Sequence, residues 1–351
     1  MKKLFRLSTI LLFSFLLALP AQAQTLEERV TALEGQMANV ELLSTQLFQL
    51  FSALQPDITA ILNALSAQAL DVATLQADMG ELQSRLNGVS RTGDTLLLTD
   101  MNLQVVSGSG ATDAPVNGKG NVIIGYNEDI FAYEGGGLPA SDKTGSHNLI
   151  VGKGLNYTSF GSIAAGLNNI AGADYTAATG GNRNKATANF ATVTGGVLNT
   201  ASGDSSSVSG GLGNTASGSS SSITGGENNT ATDLISSVNG GENNVASGPR
   251  SNVSGGQNNT ASGIMSSVSG GQGNEASGLQ SSISGGRNNI ASANRSSVSG
   301  GDLNRASGGS ATVSGGQSNE ASGSFSTVGG GVSRDATGHN DWAAGSLFED
   351  F

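Results

Sequence analysis

The sequence predicts a mainly β protein, a parallel β-roll or β-solenoid of 15-residue rungs preceded by an N-terminal α-helical coiled coil that assembles as a trimer. Three observations carry this expectation. Gly-Gly pairs begin at Gly180 and recur every 15 residues through Gly330 without an insertion. An apolar residue precedes each pair by two positions, and Asn follows the first glycine by four in every pair but the last. Upstream, apolar residues spaced alternately 3 and 4 apart run from Leu26 to Val89. A short fixed period is the mark of a stacked solenoid, and a 3/4 alternation is the mark of a helical seam.

Residues 1–23 read as a secretory signal. Lys2, Lys3 and Arg6 form a basic start, Ile10 to Leu19 an apolar run, and Ala21-Gln22-Ala23 a small-x-small cleavage site. The run is too short to span a bilayer, and no later segment holds the roughly 18 consecutive apolar residues of a membrane helix. Export to the extracellular space, the cell surface or the periplasm is the expectation. The chain has no Cys, which excludes disulfides, thiolate chemistry and lipid attachment at a cysteine. Without the signal's three basic residues, 13 Lys and Arg face 27 Asp and Glu, a net charge of −14. Such a surface argues against nucleic acid as a partner.

Residues 24–90 read as a coiled-coil stalk. One heptad register places apolar residues at 17 of 19 core positions, broken only by Ser44 and Gln68. At about 1.5 Å per residue the stalk would extend roughly 95 Å. β-Branched residues at both core positions, and a stripe widened by Leu43, Phe48, Leu50 and Leu62, favour three strands over two. Pro56 occupies an outward position and is expected to kink or pause the helix.

Residues 91–146 read as a connector. Leu96, Leu98, Met101, Leu103 and Val105 suggest one or two short strands, and Asn121–Asn127 resembles His147–Gly152 and suggests a first rung. The segment 126–146 breaks the period and carries the candidate ligand residues Asp129, Phe131, Tyr133 and Glu134. Insertions in solenoids become surface loops that bind, and they also serve as packing loops sealing a junction.

Residues 147–346 read as the roll with its C-terminal cap, and 347–351 as a tail. The apolar column runs Ile163, Ala178, Val193, Val208 and onward to Val328, flanked by Ser, Thr or Asn, the alternation of a short strand with one inward side chain. A second column of Ala runs from Ala171 to Ala336. Glycine suits bends this frequent, and stacked strands about 4.8 Å apart share one core. Columns of Val and Ala make that core thin, which again points to oligomerisation. The Asn column reads either as amides stacking from rung to rung or as a ligand ladder. The Ser and Thr columns beside Val read either as a solvated strand face or as a hydroxyl ladder for glycan, mineral or ice. His147 and His339, the only histidines, and Trp342 lie in similar phrases bracketing the array and read as structural caps against open strand edges.

No enzyme constellation is present: no HExxH, GxSxG, Walker loop or paired-carboxylate motif. A polysaccharide-degrading solenoid would need a carboxylate cluster on one face, which the period does not supply. Gly118-Lys119-Gly120 and Gly152-Lys153-Gly154 complete no phosphate-loop spacing. Calcium-binding rolls need an acid at a fixed offset in every rung, whereas Glu227, Glu242, Asp302 and Glu320 are sporadic. No metal, cofactor or catalytic residue is therefore assigned.

The phrase Ser-Val-Ser-Gly-Gly-x-x-Asn-x-Ala-Ser-Gly, clean from Ser267 to Gly278, together with a heptad stalk in the same chain, resembles the heads of trimeric autotransporter adhesins and related haemagglutinin-like repeat proteins. The resemblance covers residues 147–346 and, more loosely, 24–90. It implies a left-handed β-roll trimer displayed for adhesion to an extracellular glycan or surface protein. Those heads usually repeat every 14 or so residues with Ser-Val-Ala-Ile-Gly at the strand, their stalk follows the head, and they end in a membrane-anchor barrel. Here the period is 15, the stalk comes first, and only five residues follow Ser346. The chain also resembles secreted proteins ending close to Asp341-Trp-Ala-Ala-Gly-Ser-Leu-Phe-Glu-Asp350. The contrasting expectation is a monomeric β-solenoid whose Ser/Thr ladders bind ice or mineral.

Overall fold

The computed structural model of the chain describes residues 25–130 and 140–345. The signal expected at 1–23, the tail 347–351 and the loop residues Phe131, Tyr133 and Glu134 lie outside the described residues. The chain divides into two units, residues 1–103 and 104–351.

In the first unit a single helix, α1, spans Leu26–Arg85. Thr25 starts it with a capping box: its hydroxyl accepts from the Glu28 N–H at 3.4 Å, and Glu28 accepts from the Thr25 N–H at 2.9 Å. Arg85 in the last turn pairs with Glu81 at 2.7 Å and complements the helix dipole. None of the 60 residues is buried. Leu33, Met37, Val40, Phe51, Ile61, Leu65, Leu75 and Met79 all stand exposed along the seam. A stretch of α1 is long and apolar enough to cross a membrane by length and composition. Its apolar residues nevertheless alternate 3 and 4 apart with Gln, Ser and Asn between them, the pattern of a helical seam.

Two details depart from the sequence reading. The helix runs unbroken through Pro56, which costs it one N–H donor but does not end it. It stops at Arg85, so Val89 opens a strand instead of extending the seam. That strand, β1 (Val89–Thr92), pairs antiparallel with β2 (Thr95–Leu98) through a two-residue turn. Gly93 takes φ +57 in the first turn position. Leu96 and Leu98 therefore lie in a strand, and Met101, Leu103 and Val105 do not.

The second unit is a parallel β-solenoid. One ladder has 15 strands, from Val122–Ile124 to Trp342–Ala343; the other has 13, from Asn156–Tyr157 to Asp335–Ala336. From Ala177–Ala178 onward each rung gives one two-residue strand to each ladder, the earlier strands of the longer ladder having three to five residues. Single parallel bridges such as Leu212↔Glu227 tie the rungs along a third line. The strand 122–124 does form the first rung, pairing Ile123 with Ile150.

The register explains the period and corrects one column. Ile150 pairs with Ala164 and Ala164 with Ala178, steps of 14 residues; from Ala178↔Val193 onward the step is 15. The bridge Leu167↔Asn182 already spans 15. The added residue thus enters between Ala178 and Asn182, where Thr179-Gly180-Gly181 replaces Ala165-Gly166. Counting back 15 from Ala178 overshoots by one, and in a strand one residue flips the face. Ala164 is the buried member of the column, and Ile163 points outward, 40% exposed.

Elsewhere the Val/Ile column and the Ala column are fully buried. Two polar columns are also buried. Ser206 and its equivalents at 221, 236, 251, 266, 281, 296 and 326 face inward at the bend preceding each Val strand. The Asn column from Asn169 to Asn319 is 0–1% exposed. In a typical rung Asn214 donates to Gly210 O at 3.0 Å and to Gly226 O at 2.9 Å, and its Oδ1 accepts the Asn229 N–H at 2.9 Å. Both amide protons and the carbonyl are consumed within the roll, so the Asn column is structural and presents nothing to a ligand.

This ladder explains the second glycine of each pair. Gly211 takes φ +92, and a Cβ there would meet Gly226 O at 2.2 Å and Asn214 Nδ2 at 2.5 Å. The first glycine differs: Gly210, Gly225 and Gly255 would meet nothing within 4 Å.

Candidate functional site

The insertion that breaks the period is pinned at its foot. Lys143 Nζ pairs with Asp129 Oδ1 at 3.0 Å and also donates to Asn127 O. The Ile130 N–H reaches Ser141 Oγ at 3.4 Å. Hydrogen bonds from Lys143 first and Ser141 second, with the lysine's charge third, hold the Asp129 carboxyl below its usual range. Asp142 caps the returning chain, accepting from the Thr144 N–H at 3.1 Å and its hydroxyl at 2.8 Å. Asn156 ties the loop to the roll, donating to Ala140 O at 3.0 Å and accepting the Asp142 N–H at 3.1 Å. Beneath it the buried Tyr157 hydroxyl meets the Asn127 side chain at 3.1 Å. Asp129 is thus an exposed carboxylate on a fixed base; the structure does not describe the three residues expected to act with it.

The two histidines occupy opposite ends of the strand order. His147 Nε2 accepts the Ser107 N–H at 2.9 Å, and Nδ1 lies 3.2 Å from Thr112 O, an arrangement that assigns the proton to Nδ1. Asn117 reinforces this seam, its N–H meeting Ser146 Oγ at 2.9 Å and its amide reaching Ser107 O at 3.1 Å. His147 therefore holds the segment 107–121 against the first rungs. At the far end His339 packs edge-on to Phe325, ring centroids 5.6 Å apart, and Trp342 stands exposed in the last strand. Among the described residues no three of His, Cys, Asp and Glu gather as a metal-ligating group. Gly118-Lys119-Gly120 and Gly152-Lys153-Gly154 precede no helix in the described chain.

The outward face of the 15-strand ladder carries two hydroxyl-rich columns. Thr192, Ser207, Ser222, Ser237, Ser267 and Ser282 are half-buried, and Thr194, Ser209, Thr224, Ser254 and Ser269 are exposed. Asn252 and Asn239 interrupt them, Asn252 donating to Ser237 Oγ at 2.7 Å and accepting from Ser254 at 3.0 Å. The side chains after Gly-Gly bond to one another along the surface of the roll. Arg287 and Asp302 form a bidentate pair at 2.9 and 2.8 Å, and Gln257 bridges Glu242 and Gln272 at 3.0 and 3.1 Å.

The sequence reading passed over one surface feature. Phe160, Tyr175 and Phe190 stack on consecutive rungs, with centroids 5.3 Å apart edge-to-face and then 5.4 Å apart stacked. Tyr175 and Phe190 take φ +55 and +60, backbone values that disfavour bulky side chains. Their 15-residue spacing was the available signal. No protein-family model matches the chain, and comparison with curated proteins finds no match.

Proposed function

We propose that the chain is an exported, non-enzymatic homotrimeric fibre, with α1 as a parallel coiled-coil stalk and the solenoid as a displayed head for structure or adhesion. The observation that carries this reading is the seam of α1. Sixty helical residues bury nothing within the chain while presenting a heptad stripe of Leu, Ile, Val, Met and Phe. Water-exposed apolar area on that scale is stable only when other helices cover it. Ile61 and Leu65 sit near its centre, and replacing both with Asp places charges in two adjacent layers of the seam. Sedimentation should then show single chains where the parent shows three; an unchanged particle size would refute the stalk assignment.

The ligand is a glycan or surface protein engaged by the loop at 126–146, with Asp129 on its rigid foot and Phe131, Tyr133 and Glu134 as the contact residues. Binding of labelled protein to cells and printed glycans should be lost on deleting residues 128–142. Retained binding would move the site onto the roll. A second reading, a monomeric solenoid binding ice or mineral, draws on the two hydroxyl columns and on the roll's core, which is closed within one chain. A single-chain particle with ice- or mineral-binding activity would favour it.

A further inference from the structure

The roll exposes a run of large aliphatic side chains over four successive rungs that its own fold does not require. At the bend between the Ala strand and the following Val strand, Leu234, Pro249, Ile264 and Leu279 occupy the same position of four successive rungs. The backbone stacks them directly: the Arg250 N–H donates to Leu234 O at 2.8 Å, Met265 to Pro249 O at 2.9 Å and Gln280 to Ile264 O at 2.8 Å. Ile235 and Met265 flank them, at φ +55 and +57. Apart from the aromatic Tyr175, Phe190 and Phe325, other rungs place residues such as Ser205, Ser220 and Ser310 at those left-handed positions, and Asp204, Ser219 and Asn294 beside them. Small polar residues therefore satisfy the bend; all five large residues are 39–48% exposed, and Ile235 and Met265 also stand there against backbone preference.

We infer that this ridge, Leu234 to Leu279, is a contact surface between copies of this chain; the inference rests on the trimer reading above. Magnitude selects the occupant. The five large residues expose about 400 Å², roughly half of what one side of a free-standing protein complex buries. A freely diffusing partner is poorly held by so small a patch. A second copy joined through the stalk is different, because tethering raises its effective concentration to the order of millimolar, where a weak contact is populated. A parallel coil also sets equal residues of each chain at equal heights, so the contact is homotypic, Ile264 against Ile264.

The absence of native Cys makes the test clean. Ile264→Cys is introduced in the chain 24–351, with Gln257→Cys, on the bend after Gly-Gly, as the comparison. Each is oxidised, run on denaturing gels and weighed by light scattering. Covalent dimer is expected as the main product of I264C, and near-background dimer from Q257C. Equal yields, or no dimer from I264C in a particle that still weighs three chains, would overturn the ridge and leave the stalk standing. A single-chain mass would overturn both. Leu279→Cys should reproduce I264C, which guards against a local defect at one rung.

Discussion

Removing one buried amide from the Asn ladder should open the roll locally, and Asn259→Ala is the sharpest case. Asn259 donates to Gly255 O and Gly271 O, both at 2.9 Å, and its Oδ1 accepts the Asn274 N–H at 3.0 Å and Asn274 Nδ2 at 3.1 Å. Alanine keeps the Cβ and loses all four. Gly271 O retains the Gln257 N–H at 2.9 Å, and half-buried Gly255 can recover a water. The Asn274 N–H, buried with no other acceptor, is left orphaned, and an orphaned buried donor costs about 1–3 kcal/mol. With the lost carbonyl bonds the total comes to about 2–4 kcal/mol, equivalent to about 30- to 1,000-fold in an opening equilibrium. Native-state hydrogen exchange reads this directly as faster exchange at Asn274 and its neighbouring rungs. The control is Asn258→Gly, one residue away at φ +56 and exposed, in a column that already holds Gly213 and Gly273. If N259A exchanges within twofold of N258G, the ladder is not what holds the rungs together.

Three further expectations follow from the same geometry. Gly256→Ala should destabilise strongly, since its φ is +89 and a Cβ would lie 2.2 Å from Gly271 O, while Gly255→Ala should melt as the parent does; calorimetry of the pair distinguishes them. Val268→Asp buries an unpaired charge in the core and should cost several kcal/mol, read as a lowered Tm. Asp302 is held below its usual range, first by its hydrogen bond to Arg287. Because its folded pKa is depressed, the pair's contribution is present above the unfolded value near 3.9 and is lost as pH falls through the folded one. An NMR titration should place the Asp302 midpoint below that of an exposed Asp, and Arg287→Ala should return it.

The roll was readable because each rung repeats one solution to one problem. Val268 and Ala276 must fill the same narrow core as their neighbours, and Gly271 must let the next rung's carbonyl approach. What escaped was whatever a strict period hides. The face of Ile163 was misjudged because the early rungs are one residue shorter, a difference visible only in the pairing of Ala164 with Ala178. The Ser206 column passed unnoticed because a hydroxyl gives no core signal in the sequence, yet the bend turns it inward, where Ser206 Oγ accepts the Gly203 N–H at 3.1 Å. The helix's end at Arg85 was obscured because Val89 fits a seam and a strand equally well. At the candidate site, aperiodicity marked the insertion, but the Asp129–Lys143 pair depends on two chain segments meeting 14 residues apart, which no local pattern encodes.

The account stands on association through the α1 seam, and the mass of the particle tests it most directly. Light scattering of residues 24–351 should give three chains per particle at micromolar concentration. One chain per particle would contradict the account, leaving the exposed heptad stripe of α1 without a partner and the roll as a solitary solenoid.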